Sequence, residues 1–168
     1  MYGYALQHYG RGAVLKHVGV APTGEAFNSI VLDEAANRPF NPMVNAGAIA
    51  VAELMGGESR DERMANMLAL FSSLAGRKLE IDDAVFQSEL ATGHRNRAIA
   101  YLELSAGMIE GDIEQHLDLY FKQCSIMVTA RDLALMAATL ANGGVNPLTG
   151  KRALQADLVR HVLSVMTS

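Results

Sequence analysis

With 168 residues, half of them apolar, 19% charged and a formal net charge of −4, the chain has the makeup of one soluble globular domain with its own core. The weak, scattered charge lacks the concentrated basic surface that phosphate backbones demand, and disorder is equally excluded by composition. One cysteine, Cys124, cannot form an internal disulfide and points to a reducing compartment, read as the cytoplasm. The opening MYGYALQHYGRG has neither the basic start nor the apolar run of a signal peptide, and no later segment has the length and apolarity of a membrane span. No nucleic acid and no membrane are therefore expected as partners.

The chain reads as a succession of short helices punctuated by glycines. MYGYALQHYG is the tail of a helix ending at Gly10, and because no capping residue opens it, its start is expected upstream. GVAPTGEAFNSIVL carries the turn signal Pro22-Thr23-Gly24 and then loop residues. In FNPMVNAGAIAVAELMGG, Asn41 is the expected N-cap, Pro42 the first helical position, and Gly56-Gly57 the stop. Ser59 with Glu62 three residues on predicts a capping box for SRDERMANMLALFSSLAG. There Met64, Met67, Leu68, Phe71 and Leu74 recur at helical spacing, and Gly76 closes the segment.

AVFQSELATGHRNRAIAYLELSAG is expected to form two helices interrupted near Gly93. DIEQHLDLYFKQ starts at Asp112 with Gln115 placed to cap back. Thr129 and Asp132 open ARDLALMAATLANGG in similar style, with Gly143-Gly144 as the stop. VNPLTGKRAL is turn-rich and compatible with a short hairpin, and QADLVRHVLSVM is a final amphipathic helix. No repeat or low-complexity stretch appears, so the fold class expected is mainly α with little strand.

The candidate chemistry is sparse. The histidines, His8, His17, His94, His116 and His161, form no His-Glu-x-x-His pair, and no Cys-x-x-Cys set exists, so neither metal nor cofactor is implied. The glycine pairs sit at helix ends, where glycine is the ordinary stop, and not in a phosphate loop. Cys124 has apolar neighbours in KQCSIMV and is expected to be a buried structural thiol. Asn45 places an uncharged amide among small apolar side chains, as either a satisfied core group or a ligand contact. Glu89 and Asn96 flank the Gly93 break; on the plainer reading Glu89 pairs with Arg95 or Arg97 on a solvated face. Tyr120, between Leu119 and Phe121, reads as core. Taken singly, none of these defines a site.

Taken together they do. Pro-Thr-Gly before Phe-Asn-Ser, then NPMVNAGAIA, SELATGHRNRA, DLYFKQCSI and LANGGVNPLTGKR, in this order and at this spacing, closely resemble the serine-dependent glutaminase family over essentially the whole chain. The resemblance implies hydrolysis of the side-chain amide of L-glutamine to L-glutamate and ammonia. It also implies a serine β-lactamase and penicillin-binding-protein-like α+β fold, of which this chain would be the helical region. The family's substrate-binding positions fall on Asn45, Glu89, Asn96 and Tyr120. Glu89 would take the α-ammonium of the zwitterion, and the asparagines and the phenol would take its carboxylate and amide. Small neighbours Ala46, Gly47 and Ala48 would let the ligand approach closely. No metal or organic cofactor is implied, and the complete protein would be a homodimer or homotetramer.

One departure is large. The family nucleophile belongs to Ser-x-x-Lys, yet Lys16, Lys78, Lys122 and Lys151 are preceded at that spacing by Ala13, Ala75, Leu119 and Leu148. The resemblance places the catalytic serine and lysine just upstream of Met1, and a Gly-x-Tyr-Asp stretch and a glycine-rich strand beyond Ser168. Residues 1–168 are therefore expected to be a single domain incomplete at both ends, without a catalytic residue of its own and inactive in isolation. The alternative is a non-catalytic truncated relative that keeps an amino-acid-binding or interaction surface. A β-lactamase or transpeptidase relative acting on peptidoglycan fits less well, since such proteins are normally exported.

Overall fold

Apolar residues at helical spacing on both sides of one segment decide how the chain packs. In α6 (Ile113–Cys124), Ile113, Leu117, Tyr120 and Phe121 lie on one face, at the i, i+4, i+7 and i+8 positions that a 3.6-residue period brings together. That face is buried against α2 (Asn45–Ala52), α4 (Asp83–Thr92) and α5 (His94–Ser105) through Ala46, Ile49, Phe86 and Ile99. Leu119 points the other way, into a methionine-rich cluster with Met55, Met64 and Met67 beside α3 (Arg60–Ala75). A third cluster joins α1 (Tyr2–His17) to α8 (Ala156–Met166) through Leu6, Val14 and Val165, with Val51 of α2 beneath. The remaining helix, α7 (Ala130–Ala141), lies on α3.

The structure is a computed structural model that describes residues 1–167. Among the described residues, β structure is confined to isolated antiparallel bridges, Asp33 with Arg38, Ile81 with Ile126 and Val145 with Arg152. The chain is thus mainly α, as its composition and periodicity require. No helix of the described residues is long and apolar enough to cross a membrane.

Helix ends follow the local chemistry with informative exceptions. Ser59 caps α3 by accepting from the Glu62 amide at 3.1 Å, but the Glu62 carboxylate accepts from the Glu58 amide at 2.8 Å and not from Ser59, so the box is half-formed. Gly76 ends α3 in the left-handed conformation at φ 72°. The box at α7 is complete: Thr129 accepts from the Asp132 amide at 3.2 Å, and Asp132 accepts from the Thr129 amide at 2.7 Å. VNPLTGKRAL closes as a single bridge, and buried Asn146 donates to the Leu74 carbonyl at 2.9 Å, plugging the end of α3.

Three expectations are corrected. The chain breaks at Gly10, where φ is 74° and ψ 159°, but resumes helical geometry to His17, because the following residues again satisfy helical hydrogen bonds. Asn41 does not cap α2. Its side chain accepts from the Met43 amide at 2.9 Å and donates to the Ala21 carbonyl at 2.8 Å, a tertiary tie that outcompetes the cap, so α2 starts at Asn45 and ends at Ala52, short of Gly56-Gly57. At α6 the Asp112 side chain accepts from the Glu114 amide at 3.0 Å, while Gln115 contributes its backbone amide.

Asp132 also joins two helices. Arg77, just past α3, forks onto it with Nε at 2.8 Å and Nη2 at 2.6 Å, and these donors with Thr129 hold the Asp132 carboxyl far below the usual carboxylate range. A carboxyl depressed on folding contributes stability above its unfolded pKa of about 3.9 and loses it as pH falls toward the folded value. Asp132→Asn should therefore lower the melting temperature by several degrees at pH 7, with the gap to the parent shrinking below about pH 4. An equal gap at pH 3 and pH 7 would show that the charge contributes nothing.

Candidate substrate site at the junction of four helices

The four residues singled out by sequence come from four different helices that share one core. Asn45 is the first residue of α2, Glu89 lies in the last turn of α4, Asn96 in the first turn of α5, and Tyr120 toward the end of α6. Between α4 and α5 the chain turns at Gly93, whose amide donates to the Glu89 carbonyl at 2.8 Å. A Cβ at Gly93 would run into the Phe121 ring and the Glu89 carbonyl, so only glycine lets this corner seat on α6. The corner sets Glu89 close enough to buried Tyr120 to act on its phenol and places Asn96 just past the turn.

One polar pair and one buried phenol result. The Asn45 side-chain amide donates to Asn96 Oδ1 at 2.9 Å, tying the start of α2 to the start of α5. Tyr120 is buried, and burial first, then Cys124 and the carboxylates of Glu89 and Glu103, push its hydroxyl far above the usual phenol range. It is a neutral donor and acceptor at any working pH. Ala46, next to Asn45, belongs to the same core cluster as Tyr120.

Glu89 is the informative member. It is half-buried, and among the described residues neither an ion pair nor a side-chain hydrogen bond engages its carboxylate. The expected pairing with Arg95 or Arg97 does not form: Arg97 forks onto Glu114 with both bonds at 2.9 Å, and Arg95 donates to the Asn28 carbonyl at 3.3 Å. Those partners lie 17 and 67 residues away, beyond the reach of local pattern reading.

Two further expectations change. Cys124 is exposed and not a buried structural thiol, because the end of α6 reaches the surface there. Desolvation at the sulfur still raises its pKa, which makes it a weak nucleophile. Ala46 and Gly47 are buried, and a Cβ at Gly47 would collide with the Asn41 carbonyl, so that glycine admits the chain's own backbone and not a ligand. Sequence reading also missed Gly93 as a packing requirement and the buried Glu103; the latter's signal was a lone acid inside the apolar run AIAYLELSAG. Open clefts of about 320 and 440 Å³ are lined by other residues, among them Glu53, Arg63 and His116 in the first and Gln7 and Asn66 in the second.

This helical arrangement recurs in solved structures. It superimposes on a Bacillus glutaminase crystallised in 4.3 M NaCl with a TM-score of 0.91 at 36% identity, covering 98% of this chain and 56% of that one. On the crystal structure of Mglu in its glutamate form the TM-score is 0.92 at 43% identity, covering 99% of this chain and 39% of that one. The described residues therefore form the helical part of a serine β-lactamase-like fold. The family model Glutaminase matches residues 1–168, and the chain belongs to the glutaminase family. It is 58% identical over 166 residues to a glutaminase of Microcystis aeruginosa and 55% identical over 165 residues to one of Trichormus variabilis. These alignments take in 99% and 98% of this chain but 49% of each relative, so the chain spans about half the length of both.

The Gly93 corner predicts a contrast between two glycines. Gly93→Ala should destabilise the fold by about 1–3 kcal/mol in urea denaturation, through the clash with Phe121. Gly12→Ala, in open space on α1, should be neutral or stabilising by up to about 1 kcal/mol. Equal effects at both positions would remove the packing argument for the corner.

Proposed function

We propose that residues 1–168 carry the glutamine-recognition half of an enzyme that hydrolyses L-glutamine to L-glutamate and ammonia. The observation that carries this reading is Glu89: a half-buried carboxylate with no cation of its own, set beside a neutral phenol and a pair of amides. A free amino acid offers the missing cation. Its α-ammonium bonds to Glu89, its α-carboxylate and side-chain amide exchange into the Asn45–Asn96 pair, and the Tyr120 hydroxyl completes the contacts.

Residues 1–168 contain no Ser-x-x-Lys, so the nucleophile comes from elsewhere in the complete protein. The serine oxygen attacks the amide carbon and its proton passes through lysine to the departing nitrogen, which leaves as ammonia. Water then adds to the ester, releasing glutamate and restoring the serine. No metal or organic cofactor takes part. We place the enzyme in the cytoplasm on its lone cysteine, and assign the complete form as a homodimer or homotetramer by resemblance. The missing motif favours a second reading, a non-catalytic amino-acid-binding relative; ammonia release from glutamine by the full-length protein, compared with residues 1–168 alone, separates the two.

In the full-length protein, Glu89→Gln should raise KM for L-glutamine by about 10- to 100-fold with the melting temperature unchanged, because a charge-assisted bond is lost while the fold is kept. Tyr120→Phe should lower kcat without unfolding the protein. An unaltered KM in Glu89→Gln would remove that carboxylate from the site.

A further inference from the structure

Glu103 lies seven residues beyond Asn96 on α5, a spacing that returns to nearly the same helix face two turns along. Its exposure is 0%, and neither carboxyl oxygen has a hydrogen-bond partner among the described residues. The described residues already enclose it, so further chain cannot reach these oxygens while the packing holds. The helices packed on α5 are α2 and α6. From the end of α2 Glu53 faces it, and from α6 Tyr120 does. The basic side chains of the neighbouring elements are engaged elsewhere: His116 and Arg63 contact Glu53, and Arg97 pairs with Glu114. A carboxylate here would have neither donors nor a counter-charge, and an anionic neighbour besides.

We propose that Glu103 is a positioning residue of the candidate site: as the neutral acid it fills the seam of α5 against α2 and α6 and so sets the aim of Asn96 and Tyr120, and loss of its proton forces that seam apart. The part concerning glutamine rests on the function proposed above; the part concerning the seam does not. Burial, reinforced by Glu53, pushes the Glu103 carboxyl up to about 9. In the unfolded chain it ionises near about 4.3, so between these values the unfolded state alone gives up a proton. Folding stability therefore falls as pH rises through this window and levels off once the folded carboxyl ionises.

The test uses the full-length protein with Glu103→Gln, which keeps the shape without the charge, Glu103→Met as an apolar replacement of similar volume should the amide disturb folding, and Glu103→Ala. Melting temperatures from pH 5 to pH 10 should show the Gln or Met variant gaining on the parent up to about pH 9 and the gap then holding constant. KM for L-glutamine should rise about tenfold more in the parent than in Glu103→Gln across the alkaline transition, beyond the rise that both share as the substrate's own α-ammonium loses its proton. At pH 7 Glu103→Ala should raise KM about fivefold with kcat within about twofold, and Glu103→Gln should recover most of that loss. Parallel melting curves for the parent and both neutral variants would overturn the proposal, as would superimposable KM–pH profiles. A full-length protein that binds no glutamine would instead sink the functional reading, with the melting curves still deciding the role of Glu103.

Discussion

The seat of Phe121 beneath the Gly93 corner is the constraint on which the helix junction depends. Phe121 is fully buried, its carbonyl accepts from the Ser125 amide at 3.0 Å and hydroxyl at 2.8 Å, and the Arg97 guanidinium lies 5.7 Å from its ring centroid. Burying such a side chain is worth about 1.5–3 kcal/mol, against about 1 kcal/mol for a good helix cap. Packing on α6 therefore outranks the local caps in fixing where α4 stops and α5 starts. Because Glu89 and Asn96 lie on either side of that corner, one apolar contact aims two polar groups. Asn45 is then aimed by its bond to Asn96, which reaches across 51 residues of sequence.

Magnitudes also separate the roles within the site. A neutral amide pair such as Asn45 with Asn96 contributes a net of about 1 kcal/mol, and a ligand that exchanges into it breaks one such bond to form others. That exchange would be nearly balanced, so on the proposed function the asparagines supply geometry more than affinity. A charge-assisted bond is roughly twice as strong, and Glu89 gives up no partner to make it. On the proposed function, affinity for an amino acid would thus concentrate on Glu89. The choice between side chains one methylene apart is worth only about 1–3 kcal/mol from apolar contact and must come from the depth of the complete pocket.

What was legible in the sequence was what short-range chemistry decides. The break near Gly93, the Gly76 stop and the Thr129–Asp132 box depend on residues within one helical turn, and all appear where the pattern puts them. Asn41 misled because its side chain prefers Ala21, a partner 20 residues away in a loop with no periodic signal. Cys124 misled because apolar neighbours in sequence do not fix which face of α6 meets solvent. The candidate residues owed their selection to family resemblance; no local rule distinguishes Glu89 from an ordinary surface acid. Its distinguishing property, the absence of a cation, arises only when the fold commits Arg97 to Glu114 and Arg95 to Asn28.

Two glutamates act on Tyr120 from opposite environments. Glu89 is half-buried, whereas Glu103 is fully buried with Glu53 as its acidic neighbour. Were both ionised, the phenol would feel two anions and the junction would carry one more negative charge than a single ammonium can neutralise. Keeping the deeper acid protonated leaves one negative charge, on the side that a ligand can approach. On the proposed function, the same burial that makes Glu103 costly to the fold would keep the charge of the recognition site matched to one ammonium group, tying the packing of α5 to the selectivity of the surface it presents.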